Sequence, residues 1–389
     1  FLHDTLVSLQ GRIDALQTVQ RPRIEKRLRW AEAVAAATFA HPHATATWAQ
    51  ARAAIAAADG VTASTQYRGR TIPLADADVH GLVPIGCNPV TKLWEFYDLA
   101  SAWNGTDDPA TLPIPTHRAD GSIEVGDATG VVFVLLPGGP FWMGAQAKDP
   151  QGANHDPEAP AFVGPAQQVE LEPFLLARHE LTQGQWARLC SEPGWQRPSG
   201  HPTGSDDHLG GTIDDRHPVE KVTWTLAQRV LAEHGMVLPT EAQWEYGCRA
   251  GASTPWWTGA DSSSLHGAAN VYDQSATRHA LKPEVHERFD DGHVLHAPVG
   301  SFRANAFGLF DTHGNVGEWC LDAPAPNGFG FRAGDGARLR STLPNDRSQR
   351  GGSYQQQGRP GRCSLWVIGP QETRAIDLGV RAARRLGSR

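Results

Sequence analysis

Between residues 311 and 318 the chain reads Asp-Thr-His-Gly-Asn-Val-Gly-Glu, with two carboxylates set either side of a Gly314-Asn315 turn. A hard cation such as calcium takes six to eight oxygens, mixing carboxylates with backbone carbonyls. Asp311 and Glu318 can supply the first kind, and the carbonyls of Gly314 and Val316 the second. The same residues also suit a turn closed by hydrogen bonds alone, because Asp, Gly and Asn gather in turns for their backbone habits. A second chemical stretch follows. Residues 354–362 read Tyr-Gln-Gln-Gln-Gly-Arg-Pro-Gly-Arg, and Trp366 comes soon after. Amides, guanidiniums and aromatic rings make hydrogen-bonding and stacking contacts to a peptide, a carboxylate or a sugar. Tyr354, Gln356, Arg359, Arg362 and Trp366 are therefore the candidate binding surface, against the plainer reading of a solvated loop.

Other chemistries find little support. The five cysteines (Cys87, Cys190, Cys248, Cys320 and Cys363) are scattered, odd in number and form no CxxC. They read as buried small hydrophobes, not as a disulfide frame or a zinc site. His279, His286, His293 and His296 read as surface loop histidines. No G-x-S-x-G, no phosphate-binding G-x-x-x-x-G-K-[ST] and no H-E-x-x-H occurs. A net charge of −7 argues against a dedicated nucleic-acid binder. No run of 18 apolar residues predicts a membrane span. With the cysteines this points to a cytoplasmic protein. The chain begins at Phe1, not Met, which leaves room for an upstream domain.

These residues need a scaffold. Leu2, Leu6, Leu9, Ile13 and Leu16 follow an a/d spacing, so the first helix is expected to pack against another helix. The expectation is a hairpin with residues 23–40, joined at Pro22, and a third helix over 47–58. Residues 61–129 carry two strand-like pieces, 83–86 and 93–96, read as an appended hairpin region. The main domain is placed at 130–389 and opens on the apolar run 131–136. Three capping boxes, Thr182/Gln185, Thr225/Gln228 and Thr240/Gln243, predict three helix starts. After Gly251 long irregular loops dominate, and such loops need something to fix them.

Several strings, in register, resemble the formylglycine-generating enzyme family, also called sulfatase-modifying factors. They are Pro140-Phe-Trp-Met-Gly144, the stretch from His179 to Trp186, His217-Pro-Val219 with Val222-Thr-Trp224, and Leu238-Pro-Thr-Glu-Ala-Gln-Trp-Glu-Tyr246. Ala297 to Phe302, Gly308 to Trp319, Arg350-Gly-Gly-Ser-Tyr354 and Asp377 to Arg381 complete the set. The resemblance implies an α+β, C-type-lectin-like fold with little regular secondary structure. It implies calcium (Ca2+) on Asp311, Gly314, Val316 and Glu318, and a second calcium site on Asn270, Val271, Asp291 and His293.

The family is functionally mixed, so membership alone does not decide function. Its copper-dependent oxidases hold copper(I) on a Cys-x4-Cys pair after the Arg-Gly-Gly-Ser string; here those positions are Gln356 and Gly361. Its iron-dependent sulfoxide synthases use a histidine triad in a helical domain; the N-terminal helices here offer only His3, His41 and His43. The expectation is a calcium-stabilised binding or regulatory module with a protein or peptide ligand and no oxidase chemistry. The alternatives are a copper- or iron-dependent thiol oxidase and a retroelement-diversified display protein.

Overall fold

The computed structural model describes residues 2–56, 65–70, 72, 74–190, 213–277, 286–325, 330–341 and 343–387. His279, one of the loop histidines, lies outside them.

The N-terminal region departs from the expected hairpin. Leu2–Ala15, a π-helical turn Leu16–Gln20 and Arg21–Ala40 follow one another without a break in helix. Pro22 has no N–H to give, and its ring crowds the preceding turn. The wide turn just before it, in which the Arg21 amide bonds the Leu16 carbonyl, accommodates that fault. The chain reverses instead at His41, before the helix Pro42–Ala56. Leu6, Leu9, Ile13 and Leu16 consequently lie exposed.

Among the described residues eleven strands follow: β1 (Leu82–Cys87), β2 (Trp94–Asp98), β3 (Val132–Leu136), β4 (Gly139–Met143), β5 (Gln167–Leu171), β6 (Phe174–Ala177), β7 (Gly317–Trp319), β8 (Asp346–Arg350), β9 (Val367–Pro370), β10 (Leu378–Gly379) and β11 (Ala383–Arg385). The first sheet has the order β1-β2-β3-β6-β11, and its neighbours are antiparallel. The segment read as an appended hairpin therefore supplies two strands of the principal sheet. Phe96 on β2 sits opposite Phe133 on β3. One hydrophobic core runs from Val34 to Leu386, so the boundaries at 60 and 129 do not separate packed units. Val132–Leu136 is buried along its whole length, as its unbroken apolar sequence demands.

The second sheet, β10-β7-β8-β9, is small, and β4 and β5 form a separate ribbon. Two of the three expected capping boxes are present, at Thr182/Gln185 and Thr240/Gln243. The middle helix starts two residues earlier than expected. Its cap is Thr223, whose hydroxyl accepts the Leu226 amide, while Thr225 bonds Glu372. Both threonines precede the apolar face, so sequence spacing alone could not rank them. The helix Trp224–Glu233 ends ahead of Gly235, at φ +70°.

Arg381 joins the two sheets. It is fully buried between β10 and β11 and spends its donors on three elements. Its guanidinium meets both oxygens of Glu318 on β7, at 2.6–3.0 Å. It also donates to the carbonyls of Ala177, at the end of β6, and Phe310. Trp244 from the helix Glu241–Arg249 donates its indole N–H to Glu318 at 2.7 Å.

Breaking one side of a buried ion pair leaves the other charge stranded, which costs about 3–5 kcal/mol. Arg381→Met should therefore lower unfolding free energy by about that amount in urea denaturation. A loss below about 1 kcal/mol, the scale of a surface pair, would show that Arg381 does not hold the sheets together.

Candidate functional site

The loop after Phe310 is built around Gly314 and Asn315. Gly314 has φ +71°, and a Cβ there would overlap the Asn270 carbonyl oxygen. Asn315 has φ +57°, a left-handed conformation that asparagine tolerates. Its side chain donates to Glu180 at 2.6 Å and accepts from the Ala297 amide at 2.8 Å and from the Asn270 amide group at 3.2 Å. Its backbone accepts from Tyr354 and donates to Asn270. Four separate chain segments thus meet at one buried asparagine.

This arrangement settles where the expected calcium ligands lie. Glu318 has both oxygens committed to Arg381, and one of them also to Trp244. Val316 gives its amide to Glu180 at 3.0 Å. Asp311 accepts from the Gly300 amide at 2.7 Å, and burial pushes its carboxyl up to about 6. Glu180, buried with Asp311 and Glu318, is raised well above the usual carboxylate range by burial and then by those two charges. One arginine serves this group of carboxylates. Glu318 has no oxygen to spare, but the second Asp311 oxygen has no hydrogen-bond partner among the described residues, so the set Asp311, Gly314, Val316 and Glu318 offers a cation one free carboxylate oxygen.

The second expected set is different. Asn270 is fully buried, and its side-chain oxygen has no hydrogen-bond partner among the described residues. Asp291 accepts from the Val271 amide at 3.0 Å and the His293 amide at 2.8 Å, so the four residues are brought together. Asp273, buried beside them, accepts the Asp291 amide. Burial, with the Asp273 charge adding to it, pushes the Asp291 carboxyl up to about 7. An orphaned amide oxygen beside two crowded carboxylates is a donor set that a hard cation would satisfy.

The expected binding surface is only partly a surface. Tyr354 is buried and packs edge-on against His296. Arg362 is buried, paired with Asp156 at 3.0 Å and Glu158 at 2.7 Å, and lies over the Trp256 ring. Both are interior residues, and sequence alone misplaced them because an Arg in a loop is usually solvated. Arg359 is exposed near Glu158. Trp366 is half-buried, edge-on to Phe162. Gln356 lines a different, small cavity of about 70 Å³ with Ser353, Pro360 and Asp377. The five residues do not form one groove. Gly361 packs backbone to backbone, and a Cβ there would stand 3.0 Å from the Gly351 carbonyl oxygen.

Two features escaped the sequence. One is a cleft of about 440 Å³ lined by Phe141, Trp142, Tyr246 and Phe307, with Arg70 and Asn154 at its polar side. Trp142 is 47% exposed there, and Phe141 stacks edge-on against Tyr246 at 5.3 Å. The other is a meeting of Cys248, His313 and Cys363, all fully buried, with their ligand atoms within 4.8 Å of one another. The two sulfurs are 3.6 Å apart. Burial raises the Cys248 thiol. For Cys363 burial also acts upward, but hydrogen bonds from Cys248 and His313 and the Arg249 charge override it and hold the thiol well below its ordinary range. Spacings of 65 and 50 residues hide such a cluster from any local motif search.

A lattice of charges walls this region. Arg350 pairs with Glu245 at 3.1 Å and Glu241 at 3.3 Å and donates to the Cys363 carbonyl at 2.9 Å. Asp322 accepts the backbone amides of Glu241 and Arg338, each at 2.6 Å.

A model of the sulfatase-modifying factor enzyme 1-like domain matches residues 124–386. The chain is 29% identical to the formylglycine-generating enzyme of Thermomonospora curvata over 229 residues, 49% of this chain and 71% of that protein. It is 25% identical to the inactive C-alpha-formylglycine-generating enzyme 2 of Mus musculus over 276 residues, 59% of this chain and 80% of that protein. Other curated relatives are matched over 38–72% of their length. Among solved structures, PvdO from Pseudomonas aeruginosa superposes with a TM-score of 0.51 and 24% identity, covering 67% of this chain and 96% of that one. The fold is thus the α+β, C-type-lectin-like one that the motifs implied.

Asp322 gives a test of the charge lattice. Burial, with the Glu241 charge behind it, pushes its carboxyl up to about 7. An unfolded Asp titrates near about 3.9, so folding favours the protonated form. Its contribution to stability is complete below about pH 4 and is lost as pH rises through the folded value. Asp322→Asn should remove that titration, so stability should fall less between about pH 4 and 8 than in the parent chain. Equal slopes in urea denaturation across that range would rule the assignment out.

Proposed function

The chain belongs to the family of sulfatase-modifying factor enzyme 1-like domains, and we propose that it serves there as a calcium-stabilised binding module without the family's cysteine oxidation. The observation that carries this reading is at the positions where the resemblance puts the copper-binding thiols. One holds Gln356, and the other holds Gly361, where a Cβ would stand 3.0 Å from the Gly351 carbonyl oxygen; neither supplies a thiolate. A relative named as an inactive formylglycine-generating enzyme supports the same reading.

Binding falls to the cleft around Phe141, Trp142, Tyr246 and Phe307. It offers apolar and aromatic walls with a few polar groups, the composition of a site for a side chain of a peptide or protein partner. Asn270, Val271, Asp291 and His293 would hold the calcium. Its role there is to neutralise Asp291 and Asp273 and satisfy the Asn270 oxygen, fixing residues 270–273 and 291–293 to one another.

Three outcomes test this. A peptide bearing Cys-x-Pro-x-Arg, incubated with protein, copper and oxygen, should keep its cysteine by mass spectrometry. Conversion above a control without protein would refute the loss of oxidase chemistry. Calcium at a hundredfold excess over its dissociation constant should stabilise the fold by about 2.7 kcal/mol, and Asp291→Ala should abolish that gain while Glu318→Gln does not. A melting curve indifferent to calcium and chelator would remove the metal from the proposal. For the cleft, peptides selected from a displayed library on the parent chain should bind Trp142→Ala at least about tenfold more weakly, the effect of a lost interface anchor. Equal binding would place the ligand elsewhere.

A further inference from the structure

We propose that Cys248, His313 and Cys363 form a closed binding site for one soft d10 cation, copper(I) or zinc(II), distinct from the positions where the family motif places its copper thiols. Three elements bring the ligands together. Cys248 comes from the last turn of the helix Glu241–Arg249, His313 from the Gly314-Asn315 loop, and Cys363 from the segment after the short turn Arg359–Gly361.

Two of the three separations are close to those of a coordination shell, and all lie within 4.8 Å. A d10 ion sits about 2.3 Å from thiolate sulfur and about 2.0 Å from imidazole nitrogen. Angles between tetrahedral and trigonal then put the two sulfurs about 3.7–4.0 Å apart and sulfur about 3.6–3.8 Å from nitrogen. Here the sulfurs are 3.6 Å apart, and Cys248 Sγ is 3.8 Å from His313 Nδ1. A disulfide would need about 2.05 Å. Soft thiolates select soft cations over calcium or magnesium.

The surroundings complete the case. Trp244, Cys320 and Trp257 pack around the pair of cysteines, and the Trp257 and His313 rings stack. The Thr312 carbonyl stands 3.6 Å from Cys248 Sγ, in reach of the fourth position that zinc would use. The Trp257 amide donates to His313 Nε2 at 3.2 Å, which leaves the ring proton on Nδ1, facing the sulfurs. A cation entering displaces the two thiol protons while the ring proton moves from Nδ1 to Nε2, so the neutral imidazole gives the ion its Nδ1 lone pair and the Trp257 amide releases Nε2. All three ligands are fully buried, so no substrate can reach the ion. Closed sites of this kind are structural. The site is therefore compatible with a protein that has no oxidase chemistry, and it does not depend on the calcium site.

The test uses the full reduced chain. One sample is dialysed against zinc(II). A second is titrated anaerobically with copper(I) against a competing chelator. Metal is measured by elemental analysis. One of the two ions should be retained at one equivalent per chain, and the arm that retains it identifies the ion. Cys248→Ser and Cys363→Ser should each lose at least nine-tenths of it. His313→Gln should weaken affinity at least tenfold. Cys320→Ser, which changes a buried cysteine of the same cluster outside the ligand set, should keep the full equivalent. Cobalt(II) added to the parent chain should give sulfur-to-cobalt charge-transfer absorption, a readout that needs no variant to fold. No retained metal in either arm together with no such absorption would overturn the proposal. So would an intact mass lower by two hydrogens, which marks a Cys248–Cys363 disulfide, or unchanged affinity in His313→Gln.

Discussion

The buried pairing of Arg381 with Glu318 is the constraint on which the rest of this fold hangs. An arginine with no exposure can be tolerated only if its charge is matched and its donors are filled. Here a carboxylate from β7 supplies the charge, while the carbonyls of Ala177 and Phe310 take further hydrogens. Those partners fix how the short β10–β11 tail lies across both sheets. They also fix the start of the 311–316 loop, because Phe310 is both an Arg381 acceptor and the residue that leads into Asp311. A C-terminal segment with two- and three-residue strands could not be positioned by strand pairing alone.

From that anchor the chemistry follows by proximity. Glu318 committed to Arg381 leaves the loop to be organised by Asn315, which links Glu180, Ala297, Asn270 and Tyr354. Asn270 spends its nitrogen on Leu295 and Asn315, and its oxygen is left over. The calcium proposal rests on that residue of unspent bonding; in the 311–318 loop Arg381 takes up Glu318, and one Asp311 oxygen is likewise left over. Two loops with similar composition thus differ because Arg381, from the C-terminal segment, takes up the Glu318 carboxylate of one of them.

The sequence made much of the fold legible, through features that are local. Val132–Leu136 is an apolar run and became a core strand; the Thr182 and Thr240 boxes became caps. Gly314-Asn315 could be read as a turn, because left-handed backbone and close approach are demands that few residues meet. What could not be read was non-local. Thr223 and Thr225 are equivalent until Glu372 takes the second. Pro22 looks like a hinge until a π turn accommodates it. Arg362 looks like a surface cation until Asp156 and Glu158 close on it.

Cysteine shows the same limit in a sharper form. A spacing such as CxxC announces a site because both ligands lie on one turn of chain. Cys248, His313 and Cys363 lie on three elements, and what unites them is the packing of Trp244 and Trp257 around them. The indole of Trp244 also reaches Glu318, so the helix that carries Cys248 is tied to the Arg381 anchor by the same side chain. The close pair of sulfurs is in that sense a consequence of the ion pair between the sheets: the helix cannot shift to separate Cys248 from Cys363 without taking the Trp244 donor away from Glu318. A soft cation in this place would reinforce a geometry that the buried charges already impose, in a part of the domain where the end of one helix meets two loops.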